Sequence, residues 1–167
     1  MIYLKWLLLA VANVAMLLLA YLLAPLLPSF SQSDRLPRWL AWFDTPDNTL
    51  DGDAPFQALH APFPGIQTGW RRYVNRVFWL WRNPSYGFDL GVLGVTVISE
   101  ISKVGPSTVG GALVQGWYFA QTSNAFQLYA VWRWGNHASR INFGWKLWSA
   151  PGVCQFALTV NPVITVA

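Results

Sequence analysis

The stretch FDTPDNTLDGD, residues 43–53, sets Asp44, Asp47, Asn48, Asp51 and Asp53 within ten positions. Oxygen donors at that density are what a calcium ion takes from a flexible loop, since it accepts roughly six to eight of them without strict geometry. The spacing departs from that of a helix–loop–helix calcium site, and no Glu lies between residues 44 and 99 to close one. Pro-Asp, Asp-Asn and Asp-Gly are also ordinary turn formers whose side chains bind nearby backbone amides. The first expectation is therefore a loop fastened by its own carboxylates. The competing one is a calcium-dependent site for sugar or lipid, with Asp44, Asp47, Asn48, Asp51 and Asp53 as ligands. Paired carboxylates for hydrolysis are disfavoured, because the acids have no evident companions.

Elsewhere the residue types that carry chemistry are sparse. His60 and His137 are the only histidines, both in expected loops and far apart in sequence, so the spacing of a zinc site is missing. Cys154 is single, which rules out an internal disulfide and leaves a nucleophile without a neighbouring base. There is no Gly-x-Ser-x-Gly, and GPSTVGGA at 105–112 lacks the Lys of a phosphate loop and reads as a turn. The expectation is a protein that is not an enzyme, with no catalytic residues and no cofactor beyond the calcium alternative. Trp132, Trp134, Trp145 and Trp148 offer faces on which a sugar could stack, but strand alternation groups three of them with Phe and Leu, which favours core packing.

The elements that must position these residues begin with an apolar run. From Trp6 to Leu27 the sequence carries no charge and one polar side chain, Asn13. At about 1.5 Å per residue such a run crosses a hydrocarbon core of about 30 Å with every backbone amide satisfied internally. Tyr3 and Trp6 mark one interface, and Pro25 with Pro28 end the helix at the other. A cleaved secretory signal has a shorter apolar stretch, so an uncleaved anchor is the reading. Arg35 and Arg38 after the span against Lys5 before it lean toward a cytoplasmic carboxyl-terminal part.

Composition agrees with a lipid partner. The chain is 54% apolar and only 11% charged, with 11 Trp in 167 residues, too little polar surface for an ordinary free monomer. Residues 34–69 sum to −3, while residues 70–167 set eight Lys or Arg against Asp89 and Glu100. Those basic residues sit among Trp and Phe and form no dense polar cluster, so nucleic acid is not expected and phospholipid head groups are.

After the span, Leu36, Trp39, Leu40 and Phe43 follow helical spacing, with Asp34 as its cap and Trp39 and Trp42 suited to the membrane interface. Pro and Gly predict irregular backbone from about 44 to 69. GWRRYVNRVFWLWRNP reads as an amphipathic helix ended by Asn83-Pro84. Its expected inner face is Trp70, Tyr73, Val74, Val77, Phe78 and Trp81, which leaves Arg71, Arg72 and Arg76 to water or to lipid phosphate. YGFDLGVLGVTVIS reads as a buried strand or a re-entrant segment. From residue 112 the period becomes two, in ALVQGWYFAQT, AFQLYAVWRWG, RINFGWKLW and QFALTV; the connections GNHAS and SAPGV are turns. The fold class is α+β: an N-terminal transmembrane helix, then amphipathic helices packed on an antiparallel β-meander of about four strands, one face buried. The divisions are 1–30 as anchor, 31–69 as interfacial helix and acidic loop, and 70–167 as the α+β domain.

Taken together, LPRWLAWFDTPDNTLDGD, YVNRVFWLWRNPSYGF and INFGWKLW with FALTVNP resemble a family of small membrane proteins of tailed bacteriophages, a domain of unknown function. The likeness covers roughly residues 36–162, and Asp44 to Asn48 looks like its signature. It implies a viral origin and a bacterial host envelope; with the apolar span, the expectation is a single-pass protein of the host's inner membrane. Such a protein acts through contact with the bilayer or with a host or phage protein, alone or as an oligomer, with superinfection exclusion as one suitable accessory role. A virion-associated or DNA-delivery component is the alternative.

Overall fold

With no Gly, Pro or carboxylate to interrupt it, the apolar run forms one helix of 22 residues, α1 (Ile2–Leu23). Pro25 and Pro28 end it, and the chain tightens into a 3-10 turn at Leu27–Phe30. A second 3-10 turn, Arg38–Phe43, precedes three helices: α2 (Ala54–Leu59), α3 (Gly69–Arg82) and α4 (Tyr86–Gly91). Among the described residues seven strands follow: β1 (Val95–Thr96), β2 (Ser102–Val104), β3 (Gly116–Gln121), β4 (Phe126–Trp134), β5 (His137–Trp145), β6 (Val153–Cys154) and β7 (Phe156–Thr165). This computed structural model describes residues 1–106, 115–148 and 152–165. Most of the expected GPSTVGGA and SAPGV turns lies outside the described residues. The class is α+β, with an N-terminal apolar helix and antiparallel sheets.

Two compact units arise, one of Met1–Ala10 with Leu93–Ala167 and one of Val11–Val92. The divisions expected at residues 30 and 69 both fall inside the second.

In the first unit the five-stranded sheet runs β2-β3-β4-β5-β7, and β1 pairs with β6 in a separate ladder. The meander read from period two is β3, β4, β5 and β7, each antiparallel to the next. The β4–β5 hairpin is tight: Trp134 pairs with His137, and Gly135 takes φ of 52° at the first turn position, where a side chain would be strained.

One face carries Phe126, Phe143 and Phe156, and the start of α1 packs on it. The Trp6 ring lies 5.7 Å from that of Phe126 and 5.8 Å from that of Phe143, and its indole N–H donates to the Ala157 carbonyl at 3.3 Å. Trp145 is fully buried beside them and donates to the Leu93 carbonyl at 2.9 Å.

The opposite face is buried as well, contrary to the expectation of one wet side. Tyr118 stacks on Tyr129 at 5.2 Å and meets Trp148 at 5.5 Å. Beside them the buried Gln127 amide donates to Asn142 at 2.9 Å and accepts from the Leu147 backbone N–H at 3.0 Å. A buried amide must be paired in this way or cost the fold its desolvation.

The second unit gathers Met16, Ala20, Ala24 and Leu27 against Leu36, Leu40, Phe43, Leu50 and Leu80. The polar break in α1 is satisfied here: Asn13 Nδ2 donates to Asp89 Oδ1 of α4 at 2.7 Å. The segment YGFDLGVLGVTVIS divides: its first part is a short helix, α4, seated on the Arg38–Phe43 turn, and only Val95–Thr96 is strand. Gly87 makes that seat. A Cβ there would lie 1.9 Å from the Ala41 carbonyl oxygen, so only hydrogen fits.

A further expectation is corrected. Asp34 does not cap the Arg38–Phe43 turn, whose preceding residue is Pro37 with no side-chain cap. Irregular backbone does dominate residues 44–69, interrupted by the six-residue α2, which Asp53 caps by accepting from the Phe56 N–H at 2.8 Å, with Pro55 in the first turn, where its missing N–H costs nothing.

Gly87→Ala is expected to cost about 2 kcal/mol or more, because backbone rather than a flexible side chain blocks the methyl. Thermal unfolding in mild detergent should show Tm lower by several degrees, and an unchanged Tm would refute the close seat.

Candidate functional site

The acid-rich loop is held by its own side chains and by α3. Asp44 is buried and accepts from the backbone N–H groups of Thr45 at 2.9 Å and Leu36 at 3.2 Å. Burial raises its pKa above the ordinary 3.8, and those two donors pull against the rise. Asn48 closes a turn in which the Thr45 hydroxyl donates to its carbonyl at 3.1 Å. Trp79 of α3 donates from its indole to that same hydroxyl at 3.1 Å. Gly52, with φ of 80°, passes so close to Phe56 and Trp79 that a Cβ would overlap the Phe56 ring. Asp47 accepts from the Tyr86 hydroxyl at 3.3 Å. Burial first, and the Asp47 charge second, push the Tyr86 pKa up to about 12.

Asp51 holds the centre. Arg72 Nε donates to its Oδ1 at 2.9 Å while Arg72 Nη2 takes Oδ2. Arg76 Nε reaches Oδ1 at 2.8 Å and its Nη2 reaches Oδ2 at 3.2 Å. Arg76 is only 5% exposed, and its remaining donors go to the Ser31 hydroxyl at 2.9 Å and the Ser33 carbonyl at 2.8 Å. Desolvation alone would raise the Asp51 pKa, but the hydrogen bonds and charges of the two guanidinium groups outweigh it and hold the carboxyl well below its usual range.

This pairing bears on which way α3 faces, and the expected orientation holds only in part: Val77 is buried as expected, while Trp70, Phe78, Trp81 and Arg76 are not where it put them. The buried positions are Asn75, Arg76, Val77, Trp79 and Leu80. Trp70 is 72% exposed, and Phe78 and Trp81 are exposed too. Hydrophobic spacing put Trp70, Phe78 and Trp81 inside and Arg76 outside. Arg76 is the buried partner and the Asp51 side chain is 34% exposed; a guanidinium taken inside the protein needs such a counter-charge. Asn75 serves the same side: its side chain accepts from the Phe63 N–H at 3.0 Å and donates to the Phe63 carbonyl at 2.6 Å.

The five proposed metal ligands are thus near in sequence but separately employed, and among the described residues no three His, Cys, Asp or Glu converge. Of the residues expected at a membrane interface, Trp39, Trp42 and Arg71 are exposed, Arg72 is half-buried on Asp51, and Arg76 is inside. Tyr3 and Trp6 sit against the sheet, with the Tyr3 hydroxyl donating to Gln121 at 3.1 Å. His60 and His137 are exposed, and Cys154 is buried, which raises its thiol pKa. Of the four Trp considered for sugar stacking, Trp145 is core and Trp132, Trp134 and Trp148 are exposed.

What remains open is apolar surface. α1 is the one helix among the described residues long and apolar enough to cross a membrane, with mean hydropathy 2.3. One stripe of it is buried. Away from that stripe Val11, Val14, Leu18, Leu19 and Leu22 are exposed, an arc too wide and too uniformly apolar for the surface of an ordinary monomer. Sequence showed the run; it missed that α3 adds its aromatics to the same unit's exterior. The missed signal was Asp51, the carboxylate that could claim Arg72 and Arg76.

Asp51→Asn should destabilise the second unit by on the order of 2 kcal/mol, because Arg76 then stays buried without a counter-charge. The pairing contributes stability that is complete above the ordinary carboxylate value of 3.8 and is lost as pH falls through the depressed folded value. Asp44 has the opposite sign, since its folded pKa is raised. The Tm gap between wild type and Asp51→Asn should therefore be full at pH 7 and shrink in strong acid; a gap independent of pH would contradict the pairing. Calcium at about 1 mM, the weak end of such sites, should leave Tm unchanged, because the Asp44, Asp51 and Asp53 carboxylates already accept internal donors.

No curated protein and no solved structure matches this chain. One family does, the Family of unknown function (DUF7338), over residues 1–167. The chain belongs to that family.

Proposed function

We propose that this is a membrane-attached, non-enzymatic protein that works by contact at the inner membrane of a bacterial host. The single observation that carries the reading is the open apolar arc of α1, from Val11 to Leu22, which no other part of the described chain covers. Leaving several Leu and Val side chains in water forgoes about 1.5–3 kcal/mol for each; a bilayer recovers it without a protein partner. The exposed Trp39 and Trp42 beside Arg38 supply the amphipathic rings and positive charge that suit a lipid interface.

The non-catalytic part of the proposal rests on employment. Asp44, Asp51 and Asp53 each serve backbone or guanidinium groups. The viral part rests on the resemblance of the Asp44–Asn48 segment and its companions to phage membrane proteins. Contact at the host membrane suits an accessory task in infection such as exclusion of a second virus.

Expressed at full length in bacteria, the protein should sediment with membranes, stay there through alkaline carbonate and be released by detergent. Release of the intact chain by carbonate overturns the proposal.

A further inference from the structure

Length and hydropathy allow α1 to cross a bilayer, but the second unit constrains how it lies. Asn13 stands near the midpoint of the helix, and its amide is bound to Asp89. Ser85 of the same segment is fully buried and reaches Asp89 at 3.4 Å. If α1 crossed both leaflets, its midpoint would carry α4 and the Asp89 carboxylate into the centre of the hydrocarbon. A carboxylate there is strongly unfavourable. If α1 lies along the surface, the same midpoint keeps Asp89 on the protein side and gives only the open arc to lipid.

A second helix joins that arc. Trp81 Nε1 donates to the Tyr21 carbonyl at 3.1 Å, and the Tyr73 hydroxyl donates to the Pro25 carbonyl at 2.5 Å. The aromatic edge of α3 is thereby fixed beside the last turns of α1, within one unit. Trp70 and Trp81, near the two ends of α3, are neighbours in sequence of the exposed Arg71 and Arg82. Aromatic rings flanked by exposed guanidinium groups match the layered chemistry of a lipid surface, apolar inside and phosphate outside. At 14 residues α3 is too short to span. Exposed aromatic rings over an inward Arg76 guanidinium are the reverse of what water selects.

We infer that the face shared by α1 and α3 docks on an anionic bilayer surface, with α1 lying along one leaflet rather than across two. The inference rests on membrane attachment and adds its geometry and lipid class.

Two experiments on the full chain test it. In a Cys154→Ala background, one cysteine is placed directly before Ile2 and, in a second variant, Gln32→Cys marks the far side of α1. Spheroplasts are treated with a membrane-impermeant maleimide before and after lysis. Both sites should share one fate, both protected until lysis or both labelled at once. One labelled and one protected means a crossing, which overturns the inference while leaving attachment intact; loss of the chain from the membrane fraction instead removes attachment itself.

In the second experiment the purified protein is mixed with vesicles of phosphatidylglycerol and phosphatidylcholine or of phosphatidylcholine alone. Arg71→Glu with Arg82→Glu should weaken binding to the anionic vesicles by about thirtyfold or more, from about 1 kcal/mol per basic residue, and change binding to the neutral ones little. Equal binding by wild type and variant overturns the anionic surface as occupant. A lipid-free dimer that Leu22→Glu disperses, with no vesicle binding by the wild type, assigns the face to a second copy and overturns it as well.

Discussion

The double claim on Asp51 organises the second unit. One carboxylate accepts from two guanidinium groups a helical turn apart, on Arg72 and Arg76, and so fixes the rotation of α3 about its own axis. Once Arg76 is inside, Trp70, Phe78 and Trp81 have no place but outside. A helix of this composition would be expected to turn its rings inward, because burying an aromatic side chain is among the larger single gains available. The unit gives up that gain, which makes sense where the exterior is not water. The exposed rings and the inward charge are two aspects of one arrangement.

The acid-rich loop is the counterpart of α3. Asp44 ties Leu36 and Thr45, Asp53 starts α2, and Gly52 lets the backbone pass between Phe56 and Trp79. Two acids that looked like parts of a shared site, Asp44 and Asp53, each hold a different piece of backbone. Their concentration reflects how many turns and caps the chain needs between residues 34 and 56, where it must reverse direction within little length. Asp44 and Asp51 show two regimes for a carboxylate with donors in place: burial dominates at one, guanidinium pairing at the other.

Local pattern revealed what local pattern controls. Period two in residues 125–160 located β4, β5 and β7, because alternation is a property of the strand itself. Uninterrupted Leu and Ala located α1, and Asn83-Pro84 the end of α3. The failures have a common cause, which is distance in the chain. The partner that turns α3 over is 25 positions from Arg76, and the oxygen that demands Gly87 belongs to Ala41. The cover on the second face of the sheet includes Trp148, beyond the end of β5. Nothing in a window of ten residues reports these. The α2 cap is different: Asp53 followed by Ala54 and Pro55 was legible as a helix start, and the density of Pro nearby hid it. Within the candidate site, the acids and arginines were visible as residue types but their pairing was not.

Helix α1 also joins neighbours that are made at very different times. Its first turn bonds Gln121, 118 positions on, and Trp6 bonds Ala157, 151 positions on. At a synthesis rate of about 5–20 residues per second, the ribosome needs on the order of ten seconds to deliver those strands. Throughout that interval the greasiest part of the molecule has left the exit tunnel while its sheet does not yet exist. The nascent chain must therefore meet another apolar-binding surface, a chaperone or a lipid leaflet, before it meets itself.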